Sequence, residues 1–149
     1  MFCDHLMRDL EIAKKRLHKK KVTLSIVKNG ELLFETSSSR ISGFLGAIEQ
    51  LAENLEGASL ADRVAGKAIA LLCAYAKIEE IYADVLSEKA KEVFEENSIG
   101  YEWKELVENV LDLNKNGVCP FEKAANGVTD PKESYKIFKA LQKSLKTCK

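Results

Sequence analysis

The chain has 149 residues, enough to bury one hydrophobic core without disulfide or metal supports. Hydrophobic residues make up 46% and charged residues 31%, the balance of an ordinary soluble globular domain. The charges of the 23 basic and 23 acidic residues cancel, so the protein has no net charge that would attract it to nucleic acid or to a membrane surface. We therefore expect a single domain over residues 1–149, with neither nucleic acid nor a membrane as a partner.

The cysteines and the N-terminal segment indicate a cytoplasmic protein. The four cysteines form no C-x-x-C pair and no disulfide-framework spacing, as is typical of reduced thiols. Charged residues between Asp4 and Asp9 interrupt any apolar signal-peptide core. No apolar run approaches the length of a membrane span.

The first predicted elements are a helix and a β-hairpin. Residues 4–18 carry apolar side chains at the spacing of one helical face. Residues 22–36 form two apolar runs on either side of Asn29-Gly30, a dipeptide typical of a two-residue type I′ turn. The hairpin is therefore predicted to follow the helix directly.

The predicted hairpin register makes both faces of the sheet apolar. Pairing Lys28 with Glu31 across the turn places Ile26 opposite Leu33. Because neither face is polar, we expect helices to cover the sheet on both sides.

Two helices are predicted in the middle of the chain. Residues 41–55 carry an apolar stripe typical of the first helix. Residues 60–76 are predicted as the second, because the nine residues after Lys67 carry no charge and apolar side chains occur all round. A helix that is apolar all round lies inside a structure. Ser59 and Asp62 match a capping box, so we expect Asp62 to hold the first turn.

Strands and helices alternate in the remainder of the predicted fold. Strands are predicted around residues 81–85 and 99–103, with Ser87 capping the helix between them. Three helices follow, beginning with a short one at Leu106, and the last two open at Pro120 and Pro131. The order α-ββ-α-α-β-α-β-α-α-α predicts a mixed sheet within a three-layer α/β/α sandwich.

The polar start of the predicted helix 60–76 is the first candidate site. Arg63 and Lys67 would share a helical face, and Gly66 in mid-helix indicates a close approach to the backbone. A basic group at a buried helix N-terminus favours an anion, so Asp62, Arg63, Gly66 and Lys67 are candidate ligand-binding residues. A snorkelling lysine and tight helix packing explain the same residues equally well.

The second candidate site is the start of the helix at Pro120. Cys119 would lie at or beside the helix N-cap, where the helix dipole lowers a thiol pKa. Glu122 falls in the first turn. We consider both as candidate catalytic residues, although a small buried cysteine and an ordinary first-turn glutamate are the commoner roles.

Two motifs together resemble a known family. Asp62-Arg-Val-Ala-Gly-Lys67 and Cys119-Pro-Phe-Glu-Lys123, in this order and at this separation, resemble domain-of-unknown-function family 1893, an uncharacterised prokaryotic family. The resemblance covers residues 8–142, nearly the whole chain. It implies a cytidine-deaminase-like fold in which the two segments look like counterparts of the zinc-ligand segments that begin adjacent helices.

The residues of these segments do not match a zinc site. Zinc deaminases need H-x-E or C-x-E at the first helix and P-C-x-x-C at the second. This chain has no histidine or cysteine near Asp62, and its second segment has a single thiol. We therefore expect no metal, no cofactor and no zinc-dependent deamination.

Three functional hypotheses follow, and they leave open whether the protein is an enzyme. The favoured one is binding of a small anionic or nucleotide-like molecule, with Lys67, Cys119 and Glu122 lining one pocket at the carboxyl end of the parallel strands. The second is a thiol-dependent enzyme that uses Cys119 without a histidine partner. The third is a structural or regulatory protein without catalysis. A homo-oligomer is compatible with each.

Overall fold

A mixed β-sheet forms the centre of the fold in a computed structural model that describes residues 8–37, 41–108 and 120–147. Five strands of this sheet are described: β1 (Leu24–Lys28), β2 (Glu31–Thr36), β3 (Ser59–Ala65), β4 (Glu80–Ser87) and β5 (Gly100–Val107). The described helices are α1 (Asp9–Lys20), α2 (Ser42–Leu51), α3 (Lys67–Ala76), α4 (Glu88–Glu96), α5 (Pro120–Ala125) and α6 (Pro131–Thr147), with a 3-10 turn at Ala52–Leu55. None of these helices is long and apolar enough to cross a membrane.

The sheet has the spatial order β2-β1-β3-β4-β5. Strand β1 runs antiparallel to both β2 and β3, whereas β3, β4 and β5 are mutually parallel. Helix α1 packs on one face, where Leu10, Ala13 and Leu17 meet Val27, Ala61 and Tyr82. The larger core lies on the other face, beneath α2 to α6. The predicted three-layer α/β/α class is therefore confirmed.

The hairpin turn is built as predicted. Asn29 and Gly30 have φ angles of 53° and 79°, the left-handed values that a type I′ turn requires at both positions. Both turn N–H groups donate to the Asp9 carboxylate at 2.9 Å, which fastens the turn to α1.

The hairpin register departs from the prediction beyond the second residue pair. Lys28 lies opposite Glu31 as predicted, but the register shifts between Ile26 and Val27, and Ile26 faces Phe34. The predicted Ile26–Leu33 pair is therefore wrong, because a β-bulge adds one residue on β2. Strand β2 is also an edge strand whose Leu32 is 41% exposed, so the sheet is not fully covered there.

The predicted single helix over residues 60–76 is wrong. Ser59–Ala65 is the central strand β3, and the helix begins only at Lys67. Between them Gly66 is extended, with φ −104° and ψ −169°, so it ends the strand and precedes the helix. A strand buried on both faces is apolar without alternation, and periodicity does not distinguish it from a buried helix. The expected capping box at Asp62 is consequently wrong as well.

The remaining predicted elements are mostly found. The Ser87 hydroxyl accepts the N–H of Ala90 at 3.0 Å and caps α4, as predicted. Strand β5 continues through Leu106 and Val107, so a helix beginning at Leu106 is wrong, and residues 109–119 lie outside the described residues.

Candidate functional site

The N-terminus of α3 is capped by a side chain from a distant part of the chain. The N–H of Lys67 donates to Glu122 at 2.8 Å and that of Ala68 at 3.0 Å, each to a different carboxylate oxygen. Glu122 lies in α5 and is 5% exposed. A helix N-terminus carries unpaired N–H groups and partial positive charge, so a carboxylate stabilises it. The position that an anionic ligand would take at this helix end is therefore filled by Glu122.

The side chain of Lys67 points into a small cleft between α3, α4 and the segment after α5. Its Nζ lies 3.4 Å from the backbone oxygen of Asn126, and Lys89 Nζ lies 3.0 Å from the side-chain oxygen of the same residue. The cleft has a volume of ≈ 250 Å³. Its lining includes both lysines, Glu92, Glu96, Asn126 and Thr129. We call it the Lys67 cleft.

Asp62 lies in β3, 9% exposed. Burial raises its pKa to about 7, against the opposing effect of backbone N–H groups of Val64 and Arg63. Burial raises the pKa of the Cys73 thiol in α3, and the charge of Asp62 adds to this effect. Asp62 is thus a buried group of the sheet and not the entrance residue of a helix.

Arg63 lies on the opposite face of the sheet from Lys67. Its guanidinium donates to the backbone oxygen of Leu17 in the last turn of α1 at 2.6 Å, and to that of Val22 just after the helix at 3.0 Å. A third bond joins it to Asp84 of β4 at 3.1 Å. The structure therefore separates Arg63 from Lys67, although the sequence prediction placed them on one helical face.

Asp84 is the centre of a polar cluster that the sequence patterns did not indicate. Besides Arg63, it contacts His18 Nε2 at 2.7 Å and accepts the Tyr82 hydroxyl at 2.8 Å. Burial alone would raise the pKa of Asp84, but these three partners lower it below its ordinary value. Burial and the bond to Asp84 raise the pKa of Tyr82 to about 12. We call Arg63, Asp84, Tyr82 and His18 the Asp84 cluster.

The family of the chain follows from comparison with known proteins. The family model TM1506, described as Domain of unknown function (DUF1893), matches residues 12–141. The chain belongs to this family. None of the curated proteins compared with it matches the chain.

The chain is also similar to several solved structures, one of them from the same family. A DUF1893 family protein, TM1506 of Thermotoga maritima, is 29% identical, with 91% of this chain and 92% of that chain covered and a TM-score of 0.78. The dCMP deaminase of cyanophage S-TIM5 is 16% identical over 64% of this chain and 93% of that chain, with a TM-score of 0.47. RibD of Acinetobacter baumannii is 18% identical over 64% and 33%, also with a TM-score of 0.47.

Only part of the pocket that was expected between the two DUF1893 motifs is found. Lys67 and Glu122 are brought together by the cap of α3, but Glu122 is buried and is not among the residues that line the Lys67 cleft. Cys119 lies outside the described residues, so its predicted place in a shared pocket stays a prediction.

Metal binding requires several ligand side chains that lie close together. Within residues 8–37, 41–108 and 120–147, no three His, Cys, Asp or Glu side chains are grouped so that they could hold a metal ion. The expectation that this chain binds no zinc also concerns Cys119, and it remains a prediction.

Proposed function

We propose that the protein binds a small anionic, nucleotide-like molecule through its phosphate group in the Lys67 cleft. The observation that carries this proposal is the convergence of two ammonium groups, those of Lys67 and Lys89, on the single residue Asn126. Within the described part of the chain, neither lysine forms an ion pair, although Glu92 and Glu96 line the same cleft. An anion between the two ammonium groups would supply the missing charge partner.

The size of the Lys67 cleft favours a phosphate group over a whole drug-sized ligand. At ≈ 250 Å³ it lies below the roughly 300–1,000 Å³ of typical ligand pockets. Asn126 and Thr129 add neutral hydrogen-bonding groups beside the two ammonium groups. The remainder of a nucleotide would extend from the cleft toward solvent.

The backbone at the start of α3 has a smaller part in this proposal than the sequence predicted. Because Glu122 accepts the N–H groups of Lys67 and Ala68, those groups are not available to a ligand. The anion is therefore held by side chains from α3 and α4, and binding should weaken with added salt.

Titration calorimetry with adenosine monophosphate, inorganic phosphate and adenosine tests the proposal. We expect the first two to bind and adenosine not to bind. Lys67→Met and Lys89→Met should each cost about 1–3 kcal/mol of binding free energy, the range for a hydrogen bond to a charged group. Lys91→Met is the matched control, since Lys91 also lies in α4 but its ammonium sits 5.5 Å from the centre of the Trp103 ring.

Two results would contradict the anion site. One is the absence of binding of adenosine monophosphate and of phosphate at millimolar concentration. The other is an equal loss of binding in Lys91→Met, which would show that overall charge and not the Lys67 cleft attracts the anion.

A further inference from the structure

Strand β5 leaves one of its edges open in the part of the chain that the structure describes. It pairs with β4 along its whole length, and no described strand pairs with its other side. An open edge carries unpaired N–H and C=O groups and is a template for another strand. Trp103, near the middle of β5, is 39% exposed.

The phase of the hydrogen bonds shows which residues face outward along this edge. The N–H of Gly100 donates to the backbone oxygen of Glu79 at 3.1 Å, and Gly100 is in register with Glu80. Even-numbered residues of β5 therefore direct their backbone groups toward β4, since these directions alternate along a strand. Tyr101, Trp103 and Glu105 direct theirs away from the sheet, and Trp103 lies at the centre of this set.

The charges of β5 match those of a second copy in one antiparallel register. With Trp103 opposite its counterpart, Glu102 of each copy faces Lys104 of the other. Centring the pair on Lys104 would oppose two ammonium groups, and centring it on Glu102 would oppose two carboxylates. Like charges directly opposite each other destabilise a sheet, whereas opposite charges stabilise it.

We propose that the protein forms a homodimer in which β5 pairs with β5 of a second copy, antiparallel and centred on Trp103. The two sheets then form one continuous sheet. Tyr101, Trp103 and Glu105 lie at hydrogen-bonded positions, and Glu102 and Lys104 face each other at the closer, non-hydrogen-bonded positions. This inference is independent of the proposed anion site.

The surroundings of β5 support this register on both faces of the sheet. On the α1 face, Glu102 bonds to Arg8 at 2.9 Å, and this bond lowers the pKa of the Glu102 carboxyl group, so it is charged at neutral pH. Lys104 has no ion pair among the described residues. On the α4 face, the Trp103 ring stacks on Tyr101 with centroids 5.8 Å apart, and the two tryptophans of a dimer would meet.

The solution mass of the full chain is the first test. One chain has a mass of 16.6 kDa, and light scattering at tens of micromolar should give twice that value. Glu105→Pro removes an outward-facing N–H and should give a monomer with an unchanged circular dichroism spectrum. Glu105→Ala, the matched control, retains that N–H and should remain a dimer. A monomeric parent chain, or a Glu105→Pro variant that stays dimeric, would overturn the proposal.

Disulfide cross-linking tests the register itself. In a chain whose Cys3, Cys119 and Cys148 are replaced by serine, Trp103→Cys should form a covalent dimer on oxidation. Hydrogen-bonded antiparallel pairs have Cα atoms about 5.5 Å apart, within the range that a disulfide spans.

Glu105→Cys in the same background is the control for register. It would lie opposite Tyr101 of the other copy, four residues or about 14 Å along the strand from its own counterpart at about 3.4 Å per residue. We expect no cross-link there. Equal cross-linking at both positions, or a dimer that does not cross-link at position 103, would overturn the register.

Discussion

Asp62 carries a carboxyl group in the middle of the sheet, next to the helix α3. Its oxygen accepts the N–H of Val64 at 3.4 Å, a long bond that only partly replaces water. Burial therefore dominates, and the pKa of Asp62 rises from 3.8 to about 7. The folded protein holds the Asp62 proton more tightly than the unfolded chain does.

The first prediction is that Asp62→Asn stabilises the protein at pH 8 and changes its stability least at pH 4. Well below pH 4 the Asp62 carboxyl group is protonated in both states, since the lower of its two pKa values is 3.8. Between pH 4 and 7 the unfolded state ionises while the folded state keeps its proton, so the parent protein loses stability as pH rises toward 7. The difference between 3.8 and about 7 corresponds to a loss on the order of 4 kcal/mol.

Urea unfolding of both proteins between pH 4 and pH 8 measures this effect. The gap between the two unfolding free energies should widen with pH and level off above pH 7. Curves that run parallel over this range would show that Asp62 ionises in the folded protein as it does in the unfolded chain.

Glu122 occupies a helix N-terminus that could otherwise bind an anion. Its two oxygens accept the first two N–H groups of α3. Since phosphate and carboxylate compete for the same groups at a helix N-terminus, the protein's own carboxylate excludes a ligand from this position. A ligand at this end of α3 therefore depends on the Lys67 and Lys89 side chains.

The docking of helix α1 onto the sheet depends on a polar junction as well as on apolar packing. Leu10, Ala13 and Leu17 bury the apolar face of α1 against the sheet. Arg63 bonds to the oxygens of Leu17 and Val22 and so pairs backbone groups at the C-terminal end of the helix. Its third bond, to Asp84, joins that end of α1 to β4.

The second prediction is that Arg63→Met loosens the C-terminal end of α1. The substitution removes three hydrogen bonds of a charged group, so we expect a loss of about 2 kcal/mol in unfolding free energy. Hydrogen exchange of the last turn of α1 should become faster, while exchange in α3 on the opposite face should not change.

Arg63→Lys serves as the control for this junction, because it keeps the charge but cannot make all three bonds. It should fall between the parent protein and Arg63→Met in both measurements. Unchanged exchange in α1 of the Arg63→Met protein would show that apolar packing alone holds the helix.

The molecule as a whole combines membership of DUF1893 with an α/β/α sandwich built on a mixed sheet. The fold does not itself specify chemistry, because function depends on the side chains that are placed on it. The zinc-ligand signature of deaminases is absent from the Asp62–Lys67 segment, and the Cys119–Glu122 segment has one thiol.

The third prediction is that the protein purified without added metal contains well under one zinc per chain. Zinc deaminases hold their catalytic ion with three His or Cys ligands, and these two segments provide one. Elemental analysis measures the content directly. Stoichiometric zinc that is lost in Cys119→Ser would contradict the prediction and restore a hydrolytic deaminase as the leading hypothesis.

Elements whose signals lie within a few neighbouring residues could be predicted from the amino-acid sequence. The turn at Asn29-Gly30 could be predicted because few residue pairs adopt left-handed φ angles so readily. The helix cap at Ser87 could be predicted because the N–H group that it accepts is only three residues away. The strands β4 and β5 were found from alternation along a few residues, and α6 from its proline start and apolar face.

The conformation of residues 59–65 and the partners of the candidate site residues depend instead on contacts between distant parts of the chain. Strand β3 is a strand because β1 and β4 pair with its two edges, and that pairing joins residues far apart in the chain. The same holds for Arg63 with Leu17 and for Lys67 with Glu122, which are 46 and 55 residues apart. Whether a polar side chain binds a ligand or another part of its own chain depends on such distant neighbours, and no local pattern contains them.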